Sequence, residues 1–539
     1  MIESYPILTL LPPLLAIALA VTTRKVLLSL GLGVVSAAIL VAGGNPWEAL
    51  KLGAETFAAQ AWTEAALNTS KVFIVIFTFA LGLVATFIMM AGGTRAFADW
   101  AQTRISTRKG AAMLPAGLGA AIFVDDYFNA LAVGQVSRPV TDRYRISRAK
   151  LTYLVDSTSA PVAVLVPFSA WGAFILGLFA PIVGESSLEV SEIGAFLQAA
   201  AANYYAWAAL ALVAFTVASR LDLGPMRTEE RRALSEGECY DSSEKIPGEL
   251  SADLPTHAPG QKRALLVPFA LLTAGVLGGI VYTGYRGAGS WDVVDILANT
   301  LVTEALLYGA GLGLASAFYY YFRYTAENPK FGAHTFGRGL KEGLASMWPA
   351  VSILVLAWVL AALIETLGTG DYLGGLIEGS AISANWLVPV IFLVAGAMAF
   401  ATGTSWGSFS LLLPIAGGIV NSLDAPELLL PALGAVLAGA VAGDHASPIS
   451  DTTILSSTGA GCNVITHVNT QLPYALSAVA AALVGYISLA LVGSTTLGLL
   501  LTLATVLAIG LVARNVLEPV VPEEQMPDSY APVEETASA

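Results

Sequence analysis

The chain has 539 residues, of which 56% are hydrophobic and only 12% charged. Ordinary soluble domains carry about 25% charged residues, so this composition excludes a disordered chain, a small disulfide scaffold and nearly every soluble enzyme. The net charge of −13 opposes nucleic-acid binding. Two cysteines far apart in sequence, Cys239 and Cys462, give neither a disulfide framework nor a zinc motif.

The apolar stretches run for ~20 residues without strand-like alternation, which predicts membrane helices rather than a barrel. The start MIESYP lacks a basic n-region, so the first apolar stretch reads as a retained helix. In chain order, spans are expected at 6–21, 26–42, 71–91, 151–180, 203–219, 264–284, 299–321, 346–366, 429–459, 472–493 and 494–513. The stretches 110–137 and 386–420 each read as a re-entrant hairpin. The fold class expected is therefore an all-α polytopic membrane protein with about eleven spans plus two hairpins.

Sidedness follows from the basic residues. Only Lys51, Lys71 and Arg286 of the 26 fall opposite the rest, and the richer side is read as cytoplasmic. Basic loops at 95–109 and 138–150 return the segment 110–137 to the cytoplasmic face. Loops at 367–385 and 421–428 contain no Lys or Arg, so 386–420 returns to the outside. The two hairpins thus have opposite orientation.

The sequence also repeats weakly. Thr56-Phe57 recurs as Thr335-Phe336, Phe123 corresponds to Phe400, and Asp156 to Asp444, at nearly constant offset. The expected organisation is N-terminal helices over 1–42, a first repeat over 43–219, an acidic linker over 220–263, and connecting helices over 264–321. An inverted repeat over 322–493, a last helix over 494–513 and an acidic disordered tail over 514–539 complete it. Inverted repeats with broken helices are the pattern of secondary transporters. The linker holds nine carboxylates and reads as a solvated segment.

Four polar clusters interrupt apolar stretches. They are FVDDYFN (Asp125, Asp126, Asn129), VDSTSAP (Asp156, Ser157, Thr158, Ser159, Pro161), ATGTSWGSFS (Thr402, Thr404, Ser405, Ser408) and AGDHASPISDTT (Asp444, His445, Ser447, Ser450, Asp451). A carboxylate near the bilayer centre costs at least ~2.5–3.5 kcal/mol. Hydroxyls and freed carbonyls supply hard neutral ligands for a small cation, and a buried carboxylate can hold a proton instead. Competition of Na+ and H+ for one site is a sufficient mechanism of exchange. The metal expected is therefore cargo: a Na+ site from Asp156, Asp444, Asp451 and neighbouring Ser and Thr. Plainer readings stand beside it. Asp156 could cap a helix, one Asp of the first hairpin could pair with the basic cluster, and the Ser and Thr residues could serve close packing. His445 reads as a proton relay or a satisfied core histidine, and His467 as a membrane-edge residue. A Walker ATPase motif and a GxSxG nucleophile are absent, so no enzyme activity and no cofactor are expected.

The segments FVDDYFNALAVGQVSRPVTDRYRISRAKLTYLVDSTSAPV (123–162) and AGDHASPISDTTILSSTGAGCNVITHVNTQLPYAL (442–476) resemble NhaC-type Na+/H+ antiporters. The resemblance spans roughly 50–510. It implies the inverted repeats, re-entrant hairpins and elevator-like alternating access of the ion transporter superfamily, with a scaffold that dimerises. It also implies a multi-pass protein of the cytoplasmic membrane, with lipids, Na+ and H+ as its partners and a cytoplasmic C-terminus. That family includes malate/lactate antiporters and Na+-coupled amino-acid carriers. Transport of an amino acid or small organic acid therefore stands as the alternative function. The aromatics Tyr127, Phe128, Phe168, Trp171 and Trp406 beside the breaks keep it open, although no intramembrane Lys or Arg is expected and a substrate carboxylate would fall to half-helix N-termini. A channel or receptor fits the paired broken helices less well.

Overall fold

The computed structural model describes residues 6–520 except 24, 64–65, 124–125, 168, 189, 245–253, 370–371, 373–383 and 424. No strand is found among the described residues; the chain is helical. The first group of helices is α1 (Leu11–Thr23), α2 (Val26–Val41), α3 (Pro46–Ala59), α4 (Thr69–Met90) and α5 (Gly93–Gln102). Then come α6 (Arg108–Ala121), α7 (Asp126–Arg143), α8 (Arg148–Ala163), α9 (Ala170–Gly184), α10 (Glu192–Ala201) and α11 (Tyr204–Ser219). The middle of the chain forms α12 (Met226–Ser235), α13 (Arg263–Ala288), α14 (Val293–Ala298), α15 (Val302–Thr325) and α16 (Ala333–Thr366). The last group is α17 (Ala384–Thr402), α18 (Ser405–Ser422), α19 (Leu429–Ala446), α20 (Asp451–Ala460), α21 (Val464–Val492) and α22 (Thr495–Val516).

Among the described residues, seven helices are long and apolar enough to cross a membrane, or up to eight if one bent pair counts as a span. That pair is Ile193–Ala201 with Tyr204–Ser219, bent by 57°. The span expected at 203–219 is therefore one arm of a longer bent element. Six of the seven fall on expected spans, whereas Ala384–Thr402 belongs to the segment read as a hairpin, and the spans expected at α1, α2, α8 and α15 are not among the seven. Helices α1 and α2 have only 13 and 16 residues. Helix α8 carries Arg148, Lys150 and Asp156, which lower its hydropathy. Both expected hairpins are helical: α6 and α7 flank the tip at 122–125, and α17 and α18 flank Gly403-Thr404.

Both discontinuous helices are present, but the first break is displaced. Residues 156–161 were expected to interrupt the span. Instead α8 runs helically through them to Ala163, with Pro161 inside its last turn and all of Ala149–Ala163 buried. A proline there removes one backbone donor near the helix end, where the ladder is already closing. The chain leaves the helix at 164–169, and Ser169 caps α9 by accepting from the Gly172 amide. The second break falls where the sequence put it: α19 ends at Ala446, and Ser450 caps α20 through the Thr453 amide.

Two packing groups follow from the contacts. In one, α13 lies on α15, α15 on α4, α4 on α16 and α16 on α2. In the other, α7, α8 and α20 pack together, and α17 lies along α19. Glycines make the second group tight. A Cβ on Gly443 would lie 2.1 Å from the Gly396 carbonyl oxygen, and one on Gly439 2.2 Å from that of Phe392. Such backbone approach is how membrane helices associate without a hydrophobic drive between them.

The segment after α11 is not the solvated linker expected. Glu230 and Asp222 are buried with Lys150 and Arg108. Arg108 donates to Glu230, Lys150 Nζ lies 2.7 Å from Asp222 Oδ1 and 3.6 Å from Glu230 Oε2, and the Ser147 amide donates to Glu230 at 2.8 Å. Helix α12 is thereby bolted to the first hairpin and to α8. Nearby, Arg148 donates its amide to the Cys239 carbonyl and its guanidinium to the Gly461 carbonyl. The expected disordered tail begins to fall outside the described residues after 520, while 517–520 is held by Arg227 donating to the Glu518 carbonyl.

Burial alone would raise the Glu230 carboxyl, but Arg108 and Lys150 outweigh it and hold the group at about 2. A carboxyl held below its ordinary 4.5 adds stability that is complete above that pH and lost as pH falls through about 2. Glu230→Ala leaves two buried cations short of a partner and is expected to cost about 3–5 kcal/mol, read as a lower melting temperature in detergent. Gly443→Leu is expected to cost about 1–3 kcal/mol by overpacking α17 against α19, read the same way.

Candidate functional site

The polar clusters converge where the two hairpin tips meet the two discontinuous helices. Asp156 stands at the centre, on α8 and 1% exposed. Its Oδ1 accepts from Ser456 on α20 at 2.8 Å. Its Oδ2 accepts from Gln471 on α21 at 2.6 Å and lies 3.3 Å from Nε2 of both His445 and His467. Gln471 uses its second N–H on the His445 carbonyl at 2.7 Å. Four helices thus share one buried carboxylate.

His445, near the end of α19, links this centre to α11. Its Nδ1 lies 2.8 Å from the Tyr205 hydroxyl and its Nε2 3.2 Å from Ser157 Oγ. Its two ring nitrogens thus bridge Asp156 and Tyr205, one on each side. His467 is fully buried, and its Nδ1 has no hydrogen-bond partner.

Two further carboxylates flank this centre. Asp444 Oδ2 accepts from Ser405 of the second hairpin at 2.7 Å, Ser450 stands near the same carboxylate, and Oδ1 is buried with no close donor among the described residues. Asp451, at the start of α20, accepts from the Tyr127 hydroxyl of the first hairpin and from the Thr452 amide at 2.9 Å. Asp126 is buried and accepts from the Trp171 indole at 2.9 Å. Asp125 lies outside the described residues. The second hairpin tip presses on the second break: Gly403 has φ of +70°, a Cβ there would sit 2.6 Å from the Ile449 carbonyl oxygen, and Ser447 donates to the Phe400 carbonyl at 2.8 Å.

Several expected ligands serve the backbone instead. Thr158 donates to the Leu154 carbonyl, Ser159 to that of Asp156, and Thr402 to that of Met398. Ser450 caps α20, and Thr404 lies at the hairpin tip on a cavity wall. Among the described residues, no three His, Cys, Asp or Glu side chains close on a common point as a metal shell. At the end of α19 the Asp444 carboxylate and the Ser405 hydroxyl lie together, while the Asp444 and His445 backbone carbonyls accept from the Ser447 amide and from Gln471.

Residues 162–491 match the Na+/H+ antiporter family. The chain belongs to that family. A Haemophilus influenzae protein described as uncharacterized is 39% identical over 496 residues, 91% of this chain and 92% of that one. A Haemophilus influenzae Na+/H+ antiporter, itself called uncharacterized, is 34% identical over 131 residues, 24% of this chain and 27% of its own. The malate-2H+/Na+-lactate antiporter of Bacillus subtilis is 31% identical over 160 residues, 28% of this chain and 31% of its own. The protein is thus a membrane-embedded secondary transporter of the antiporter type.

A cavity of about 1050 Å³ lies beside the antiporter's carboxylates, between the starts of α4 and α15, the end of α16 and the second hairpin. Asp126, Tyr127 and Asp451 form its floor, and Trp358, Trp406 and Lys71 stand on its walls. Lys71 corrects an expectation, since it brings a cation to the cavity at the start of a span. It donates to Gln60 and lies 5.5 Å from the centre of the Trp358 ring.

The sequence missed Tyr205, Ser456 and Gln471 and misjudged His467. Gln471 could have been found, because it lies one helical turn after His467 on the same face of α21. Tyr205 carries no local signal beyond an aromatic in an apolar helix. Tyr205→Phe removes the hydroxyl beside His445 Nδ1. It is expected to displace the pH profile of transport while leaving the amount of folded protein unchanged, measured as initial rate against pH in liposomes.

Proposed function

We propose that the antiporter exchanges Na+ or Li+ for H+ across the cytoplasmic membrane by alternating access. The observation that carries this reading is Asp444. Its carboxylate is buried at a helix break, Ser405 donates to one oxygen and Ser450 stands within reach, and Oδ1 has no close hydrogen-bond donor among the described residues. A buried acceptor of that kind is satisfied by a proton, a cation or a water, and a site that can hold the first two in turn is what exchange requires. The negative end of α19 favours a positive charge beside it. Asp156 takes the other part. It is already surrounded by donors, and the chain Tyr205–His445–Asp156 can pass a proton by a change of tautomer.

In this reading the order α4, α6–α7, α8–α9 is repeated with inverted topology as α16, α17–α18, α19–α20. The two hairpins then enter from opposite faces. The basic ends of α6, α7 and α8 face the cytoplasm, as does the C-terminus, and the group around α13, α15, α4 and α16 is the scaffold, dimeric by superfamily analogy.

A second reading is favoured by one observation. The cavity that ends on Asp451 is far larger than an ion with its hydrating waters, at roughly 30 Å³ per water. The Bacillus subtilis relative is named for organic acids, and an arginine/ornithine antiporter of Halobacterium salinarum matches 104 residues at 36% identity. An amino acid or small organic acid coupled to Na+ suits such a space.

The test is a liposome assay with a pH-sensitive dye inside and Na+ added outside, with and without organic solutes. Proton flux on Na+ alone is expected, reduced to the level of empty liposomes in Asp444→Asn and Asp156→Asn. Wild-type rates in both variants would overturn the exchange site. Solute uptake without flux on Na+ alone would favour the second reading.

A further inference from the structure

We propose that the cavity between α4, α16 and the second hairpin binds an α-amino acid, its carboxylate on Lys71 and its ammonium on Asp451. This rests on the reading above that an organic solute shares the pathway with the ion.

The walls carry the chemistry of such a ligand. Lys71 is the one basic side chain among the lining residues, and it shares the cavity with the carboxylates of Asp126, Asp451 and Glu365. An ammonium has three donors. Gln60 takes one from Lys71, and two remain for a carboxylate. A lysine kept half-buried at the start of a membrane helix is costly unless a counter-charge is near, and Asp451 and Glu365 stand close enough to act on it. Asp451 lines the cavity with its position fixed by Tyr127, Trp358 and the Thr452 amide, and its carboxylate is one of the three in the lining.

The apolar part of the ligand has a place as well. Trp358 and Trp406 line the cavity, and Trp406 packs on Phe174 with ring centres 4.6 Å apart. Rings of this kind hold aliphatic chains and, through their faces, cations. The volume of about 1050 Å³ lies at the upper end of small-molecule pockets. With three carboxylates to one lysine, the lining favours a basic or neutral side chain and disfavours an acidic one. A dicarboxylate without an ammonium would leave Asp451 facing like charge.

The experiment is calorimetric titration of the purified full-length protein in lipid nanodiscs with L-arginine, its decarboxylated analogue agmatine, L-glutamate and malate. L-arginine is expected to bind at least about tenfold more tightly than agmatine, since agmatine lacks the carboxylate that would accept from Lys71. L-glutamate and malate are expected to bind more weakly still. In Lys71→Gln the preference for arginine over agmatine disappears. Equal affinity for arginine and agmatine, tightest binding of malate, or a preference that survives in Lys71→Gln would each overturn the proposal. If that variant does not fold, the ranking by the wild-type protein decides alone. Uptake of some other organic solute on a Na+ gradient, with no amino acid bound, overturns this inference and leaves the organic-solute reading standing. No uptake of any solute overturns both.

Discussion

One buried carboxylate organises this protein. Asp156 is removed from water on all sides, and a charge in that position must be met by donors or it destabilises the fold. The donors come from three other helices: Ser456 on α20, His467 and Gln471 on α21, and His445 on α19. The two halves of the sequence are therefore joined through a polar centre as well as through the apolar core that runs across both. The discontinuous helix formed by α19 and α20 owes its course to this centre. Its first arm delivers His445 and its second arm delivers Ser456, and a straight helix could not direct both at one point.

Around that centre the hairpins provide the fine structure. Each tip contributes one side chain to a carboxylate of the second discontinuous helix, Tyr127 to Asp451 and Ser405 to Asp444. Gly403 lets the second tip approach the break at a distance no side chain would permit. Ion chemistry and backbone geometry are thus coupled. Whatever occupies Asp444 is felt by Ser405, and through it by the hairpin that forms a wall of the cavity.

Much of this was legible in the sequence, and the exceptions have physical causes. Hydrophobic length and the clusters at 402–408 and 444–453 marked the turn between α17 and α18 and the second break, and the polar clusters contained the buried Asp156, Asp444 and Asp451. The position of the first break was not legible. Ser, Thr and Pro mark a helix end only when water or a turn competes for the backbone, and the close packing around α8 leaves neither. The burial of Asp222 and Glu230 was hidden by their acidic neighbours, because composition averages over a segment and cannot single out two residues that find Arg108 and Lys150. His467 looked peripheral because it follows a turn. Its depth comes from α20, which is only ten residues long, so the chain re-enters the packed interior at once.

The junction around Arg148 has a practical consequence. The chain has two cysteines. Cys239 and Cys462 are both buried, and Arg148 donates to the carbonyls of Cys239 and of Gly461, the residue before Cys462. The native thiols are shielded together in a single corner of the molecule. A reporter cysteine placed in a hairpin or on a cavity wall would thus react against a quiet background. Accessibility on either side of the membrane, and distances between introduced labels, can be followed with the wild-type cysteines left in place.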